Sequence, residues 1–568
     1  MAERRYAIYG VNRVAKDFLY IFDTLEIVCF FEDVPQKELF LTKSVYTLSD
    51  YEKQKNTFDK LIVCGADHSS QSSRLEQLGL FYGRDYCFEE DFFEELDPSR
   101  VNPEQKQIAI WGTGKRATRF CKECDEVAVS IVLDKNPEIT EWRGHKVMRP
   151  SEIAGWKSLF VIIAVADDIE IREMLEEAGM KEYKDFISSA SFETLPSRML
   201  RKTIFDPHSY DLNCTTMLNH IEVGGIEGYM ISCCSTFNST VIGRLKDGNM
   251  LSAWNGMVHK ILCLSNVNRT YSFCDKSMCP LFIGRTQKDN PETTKPYPQM
   301  RQYPTTAAVS HDYSCNLKCI TCRNGYRHAS KEEMEEIEKR SETITEEFLP
   351  HTEFLIAAGD GEVFLSKAYR SIYTHPNMKS VKWLRFLTNG VLFTPERWKE
   401  LREVYTGKVM MTVSIDAATK ETYEKIRSGG RFDVLKRNME YAASLRKSGD
   451  LSYLRFNFVV QKENYREMPL FVKWGQDLGI DELFFTKILN WGTYTPEEFS
   501  EISMMEADGI TPRPELEEIL SLPEMQSREV DLGTIRSHRE RVPEDTIENY
   551  YRWELERKVP GLFTAERD

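Results

Sequence analysis

No run of about 18 apolar residues occurs in the 568-residue chain, so no membrane-spanning helix is expected. A basic excess is missing too. The formal charge is −15, and a protein that tracks a nucleic-acid backbone needs a positive stripe to displace counterions. The acidic residues are spread along helix-like stretches such as Lys331 to Glu347, as solvated helix faces would be. The opening residues enter a strand pattern at Tyr6 without a signal peptide, so a cytoplasmic protein is expected. Cysteine is absent after Cys322, while nine of the 14 cysteines fall between Cys214 and Cys322. Disulfides are rare in the cytoplasm, and clustered cysteines there point to metal.

What is present is an ordinary globular composition, 41% hydrophobic and 29% charged, in a chain long enough for several cores. The first 190 or so residues contain an internal repeat. Tyr6-Ala-Ile-Tyr-Gly10 is echoed by Ile108-Ala-Ile-Trp-Gly112, Phe31-Glu32 by Leu133-Asp134, and Leu61-Ile-Val-Cys-Gly65 by Phe160-Val-Ile-Ile-Ala164. Apolar runs alternating with helical stretches predict βαβ units, hence two small Rossmann-like domains over 1–98 and 99–195. A cysteine-rich region over 205–290 follows. From 303 to 490 come six strand-like runs: Thr306–His311, Phe354–Ala358, Leu384–Thr388, Val409–Asp416, Leu454–Gln461 and Glu482–Ile488. This β/α series predicts a partial (β/α)6 TIM-type barrel, with its chemistry at the C-terminal strand ends. Residues 491–568 read as a polar, helical extension.

The first barrel strand runs into Cys315, Cys319 and Cys322 in CxxxCxxC spacing. Three thiolates so spaced can hold a 4Fe–4S cube and leave its fourth iron open to a small molecule. Three buried cysteines or part of a zinc site are the alternatives, although structural zinc wants a fourth nearby ligand. Here the sequence resembles the radical S-adenosylmethionine (SAM) superfamily. Gly359-Asp-Gly361-Glu362 is similar to the family segment that binds the methionine amino group, Ser414 and Asp416 to its ribose-binding pair, and Arg427 to the arginine that meets the methionine carboxylate. Thr388, Asn389 and Asn457 fall where the family lines the cofactor pocket. Thr321 departs from the pattern, because an aromatic residue often precedes the last cysteine and packs on adenine. The resemblance implies reductive cleavage of SAM, a 5′-deoxyadenosyl radical, and an electron donor such as flavodoxin or ferredoxin.

Cys214, Cys233, Cys234, Cys274 and Cys279 resemble a short SPASM module, the auxiliary cluster domain of many such enzymes, here placed before the barrel. One auxiliary 4Fe–4S cluster held by Cys214, Cys233, Cys274 and Cys279 is expected. Cys234 competes with Cys233, and four cysteines suit zinc equally well. The spare thiols, Cys263 and Cys234, are the candidates for returning a hydrogen atom to substrate, although Cys263 in an apolar helical stretch also reads as a buried structural cysteine.

Gly112-Thr-Gly114, with Asp134 some 20 residues on, matches a dinucleotide-type fingerprint in which a nucleotide would sit against the helix N-terminus, unless the glycines serve packing alone. The first copy is degraded, with Asn12 in place of a glycine and Glu32 as its acid. The repeat pair resembles nucleotide-binding domains of bacterial surface-polysaccharide proteins. The expected partner is therefore a small-molecule substrate, a sugar or nucleotide-sugar that is epimerised or dehydrogenated. A peptide maturase and a non-catalytic iron–sulfur scaffold are the rivals.

Overall fold

The computed structural model describes residues 4–536, apart from 66, 97–100, 103, 125–126, 154, 166–167, 211–213, 215, 236, 247, 277–278, 280–281, 283–286, 289–300, 323–327, 358 and 491–493. Residues 537–568 of the expected C-terminal extension lie outside the described residues. Two compact units form, one from the chain up to Pro207 and the other from His208 onward. Among the described residues no helix is long and apolar enough to cross a membrane.

The first unit contains two six-stranded sheets of identical order, as the repeat predicts. In the first, parallel strands run Lys43–Thr47, Glu26–Glu32, Arg5–Tyr9, Lys60–Val63, Tyr86–Phe88, with Leu39–Phe40 antiparallel at one edge. The second runs His145–Met148, Ile131–Leu133, Gln107–Trp111, Leu159–Ile163, Phe186–Ser188, edged by Glu141–Trp142. Leu159–Ile163 is buried at all five positions, as a parallel strand covered on both faces must be. In each sheet the strand order reverses direction beside the first strand, and in open α/β sheets that crevice is where ligands bind.

The second unit is built on one ten-stranded sheet. Its strands are β1 (His220–Gly224), β2 (Tyr229–Ile231), β3 (Gly243–Arg244), β4 (Thr306–Ser310), β5 (Phe354–Ala357), β6 (Trp383–Thr388), β7 (Lys408–Ser414), β8 (Tyr453–Val460), β9 (Glu482–Lys487) and β10 (Val530–Asp531). The spatial order is β3-β2-β1-β4 and then β5 through β10 in sequence. The six expected barrel strands, β4–β9, lie within a few residues of their predicted bounds. The sheet also extends beyond them: β1 pairs parallel with β4 along its whole length, and β10 pairs parallel with β9.

Strand alternation gives this sheet two unlike faces. One is apolar and packs on helices, with Phe386 against Phe364 and Tyr373, and Phe456 and Phe458 against Phe471. The other, inner face carries an apolar patch of Ala308, Phe354, Ile356, Trp383, Leu387, Met410 and Tyr453 beside buried polar and charged side chains. There Arg385 donates to Thr412 Oγ1 at 3.0 and 3.1 Å, and Arg455 lies 3.6 Å from the ring centre of Phe484 and 3.7 Å from Glu482. Tyr453 donates to the same Glu482 carboxylate. Buried charges persist only when partnered in this way.

Candidate active site

The cysteine loop leaves β4 and is pinned by backbone hydrogen bonds to the segment after β7: Lys318 N donates to Ser428 O (2.9 Å) and Ile320 N to Ile426 O (3.1 Å). Cys319 is buried, Cys315 half-buried and Cys322 exposed. The turn after β5 packs directly under this loop. A side chain at Gly361 would stand 2.2 Å from Asp312 O, so only glycine fits there. Glu362 N then donates to Ser314 O at 2.9 Å.

Glu362 is 1% exposed, and its carboxylate accepts from Thr388 Oγ1 (2.6 Å) and Asn389 N (2.7 Å). Asn389 Nδ2 reaches Asn316 Oδ1 at 2.9 Å and Cys315 Sγ at 3.9 Å, joining this carboxylate to the cysteine loop. Asp416 follows β7 with φ +66°, a left-handed conformation that aspartate tolerates better than most residues. It accepts from Val459 N (2.7 Å) and pairs with Arg427 Nη2 (2.6 Å), whose Nη1 lies 3.7 Å from Cys319 Sγ. Burial pushes the Glu362 and Asp416 carboxyls up, opposed at Glu362 by the Asn389 and Thr388 hydrogen bonds and at Asp416 by Arg427. Burial likewise raises the Cys319 thiol, and the Arg427 charge pulls it back. Ser414 and Asn457 are register partners on adjacent strands of the inner face.

Asn464, which sequence reasoning missed, is fully buried. Its Nδ2 donates to Asp416 O (2.8 Å) and Val459 O (2.9 Å), and its Oδ1 accepts from Gln461 N (2.9 Å). A single asparagine in a loop carries no periodicity or motif that would have singled it out. It acts by positioning Asp416.

The cluster and SAM that this donor set implies fit the residues present. Arg427 Nε and Gln461 Nε2 are buried donors with no partner, and Arg427 is the group that the resemblance assigns to a carboxylate. Among the described residues no three His, Cys, Asp or Glu side chains close around a single metal ion. A cube is larger than one ion, so thiolates at its corners stand farther apart than ligands that share an ion.

A family model described as the radical SAM superfamily matches residues 309–474, which span the loop and every residue just described from Cys315 to Asn464. Residues 309–474 form a radical SAM domain. The chain is 27% identical over 176 residues to the mycofactocin maturase MftC of Mycobacterium tuberculosis, covering 30% of this chain and 42% of that one. It is 24% identical over 191 residues to the tungsten-containing aldehyde ferredoxin oxidoreductase cofactor-modifying protein of Pyrococcus furiosus, covering 33% and 52%. The chain thus spans less than half of the maturase and about half of the Pyrococcus protein. Among solved structures, Streptococcus suis SuiB bound to S-adenosylmethionine aligns at 16% identity and TM-score 0.26, over 35% of this chain and 43% of that one. Native anSMEcpe with bound AdoMet aligns at 22% and 0.27, over 36% and 57%.

The second cysteine set also converges. Cys233 is buried, and its thiol is pushed up by burial and by the charges of Cys214, Cys274, Cys279 and Cys234. Cys214, Cys274 and Cys279 share a small core with Tyr210, Phe237, Tyr271 and Phe282. Thiols that repel one another in an apolar pocket become thiolates together only around a cation, which is what a metal or cluster supplies. Cys263 lies elsewhere. It is fully buried in the helix Met257–Val267, 3.3 Å from Met217 O and 3.5 Å from His259 Nε2, and burial raises its thiol. Its sulfur is enclosed by these contacts, with no exposed surface of its own.

The two Rossmann-like copies differ at their crevices. In the second, a pocket of about 310 Å³ is lined by Trp111, Gly112, Asp134, Lys135, Val165, Glu170 and Ile171. Gly112 has φ +115°, and a side chain there would meet Ala164 O at 2.9 Å, whereas the space around Gly114 is open. Asp134 accepts from Thr113 Oγ1 at 2.6 Å. In the first copy the Asn12 side chain crosses the equivalent crevice to Cys64 O (2.8 Å), and Glu32 accepts from Val11 N (2.7 Å).

Proposed function

We propose that this protein is a radical SAM oxidoreductase. Cys315, Cys319 and Cys322 would hold a 4Fe–4S cluster, and Glu362, Thr388, Asn389, Ser414, Asp416, Arg427 and Asn457 would seat SAM. When bound and reduced, that pair supplies a 5′-deoxyadenosyl radical, which takes a hydrogen atom from a substrate carbon. The chain's own part is placement: Arg427 and Glu362 bring charge to the methionine end, Asn464 fixes Asp416, and the inner face shelters the reacting atoms from water. The observation that carries this reading is the chain of contacts Glu362–Asn389–Cys315 and Asp416–Arg427–Cys319, which ties each cofactor-binding acid to a cluster cysteine. Cys214, Cys233, Cys274 and Cys279 would hold an auxiliary cluster. A low-potential donor such as flavodoxin or ferredoxin, and a cytoplasmic setting, go with this chemistry.

Two substrate classes follow from separate observations. The open pocket of the second Rossmann-like copy favours a nucleotide-sugar. The relatives named as a maturase and a cofactor-modifying protein favour maturation of a peptide about equally. Anaerobic reconstitution followed by dithionite should yield 5′-deoxyadenosine; none from an iron-loaded chain sinks the enzyme assignment. Titration with UDP-glucose should show saturable binding that Asp134→Ala weakens about tenfold, a loss typical of one charged hydrogen bond. Unaltered binding in that variant would remove the nucleotide site.

A further inference from the structure

The chain beyond β9 returns to the cysteine loop. Tyr494 donates from its hydroxyl to Ile320 O at 2.7 Å, between Cys319 and Cys322 and directly before Thr321. Asn490 fixes the backbone of that tyrosine, donating from Nδ2 to Tyr494 O (2.8 Å) and accepting from Tyr494 N (3.3 Å). Tyr494 is half-buried, and Ile320 is 39% exposed. An aromatic ring is thereby carried to a loop that has none of its own from Cys315 to Cys322.

The same part of the chain is tied to both neighbours of Gln461. Ile488 N donates to Val460 O (3.3 Å), and Lys462 N donates to Ile502 O (2.9 Å). Gln461 is 2% exposed, and its Nε2 has no hydrogen-bond partner. Its backbone N–H donates to Asn464, the residue that holds Asp416. Gln461 therefore stands next to the support of one SAM-binding acid, and Tyr494 stands on the cysteine loop.

A buried amide donor without a partner is unfavourable until a ligand meets it. A glutamine amide offers a donor and an acceptor at the spacing of N7 and N6 of adenine, and a tyrosine ring offers a base a face to stack on. The adenine of SAM is bonded to its ribose, so it lies close to whatever grips that sugar. We infer that Tyr494 and Gln461 receive this adenine, Tyr494 stacking on it as the ring that position 321 lacks and Gln461 hydrogen-bonding its N6–N7 edge. The inference rests on the reading given under Proposed function, since it takes Asp416 as a ribose-binding acid.

Calorimetric titration of the anaerobically reconstituted full chain reads the contact without turnover. Two probes are used: SAM, and its analogue with a 6-oxo group in place of the 6-amino group. Tyr494→Leu should weaken SAM binding about tenfold at unchanged iron content, as loss of one base–aromatic contact does. Tyr494→Phe keeps the ring and drops only the tether to Ile320, so it should stay within about threefold of the native chain. The native chain should favour SAM over the analogue about tenfold, and Gln461→Leu should cut that ratio to within about twofold. The inference is overturned if Tyr494→Leu binds SAM as the native chain does, or if Gln461→Leu keeps the ratio. Loss of iron from Tyr494→Leu would overturn it too, since the ring would then be a brace for the cysteine loop. A native, iron-loaded chain that binds no SAM would remove the reading under Proposed function and this inference with it.

Discussion

Cys319→Ser is expected to strip about four irons from each chain and to lower 5′-deoxyadenosine formation at least about 1,000-fold, on the order of 4 kcal/mol in barrier. The serine hydroxyl keeps the shape of the thiol but is a poor iron ligand at neutral pH. Position makes Cys319 the sharpest choice of the three. It is buried, and its sulfur is the one in reach of Arg427, so its loss removes a ligand and a partner for that charge together. Cys233→Ser should also lose about four irons, from the other set, while cleaving SAM within about tenfold of the native rate. Iron analysis and deoxyadenosine yield on the two variants check both statements. Equal loss of cleavage in the two would mean that the cysteines do not divide into two independent sites.

The second large effect concerns Asp416 and Arg427. Asp416 is 1% exposed, and its carboxylate is the guanidinium's counter-charge at 2.6 Å. Removing one member of such a pair leaves an uncompensated buried charge, at a cost of about 3–5 kcal/mol. Asp416→Ala should therefore lower the unfolding midpoint of the barrel by about 10 °C and weaken SAM binding at least about tenfold. The double variant with Arg427→Ala should be less destabilised than the sum of the two single changes, because it leaves no orphan charge. Thermal unfolding followed by circular dichroism, with equilibrium dialysis of SAM, reads both effects. Additive losses would show that the pair is not coupled and that Asp416 matters only through Val459 and Asn464.

What could be read in advance follows from how far each signal reaches along the chain. The cysteine triplet, Glu362 and Asp416 each follow a strand end, where a local motif adjoins an apolar run, whereas Arg427 caps the helix Lys420–Ile426 and was legible only through the family motif. The repeat was visible because both copies keep the same apolar runs at the same spacing. Strand β1 was not, because its partner β4 begins at Thr306, beyond the whole cysteine-rich region, and five residues give little periodicity. Strand β10, two residues long, gives none. The closing of the first Rossmann-like crevice by Asn12 could be suspected only as a missing glycine, since nothing local says that the side chain would reach across to Cys64. Tyr494 was passed over for the same reason as β1: its contact with Ile320, 174 residues away, depends on a neighbour that only the fold supplies.

Because β1 runs along β4 residue for residue, the cysteine-rich region and the barrel share one uninterrupted backbone ladder. A fragment cut to begin at residue 303 would bare the whole flank of Thr306–Ser310, a row of open donors and acceptors that recruits foreign strands. The segment between His220 and Thr306 must also be looped shut before that ladder can zip, so assembly of the two parts is a single slow event of high contact order rather than the docking of finished modules. In this chain the second cysteine set is woven into the catalytic sheet as its leading edge.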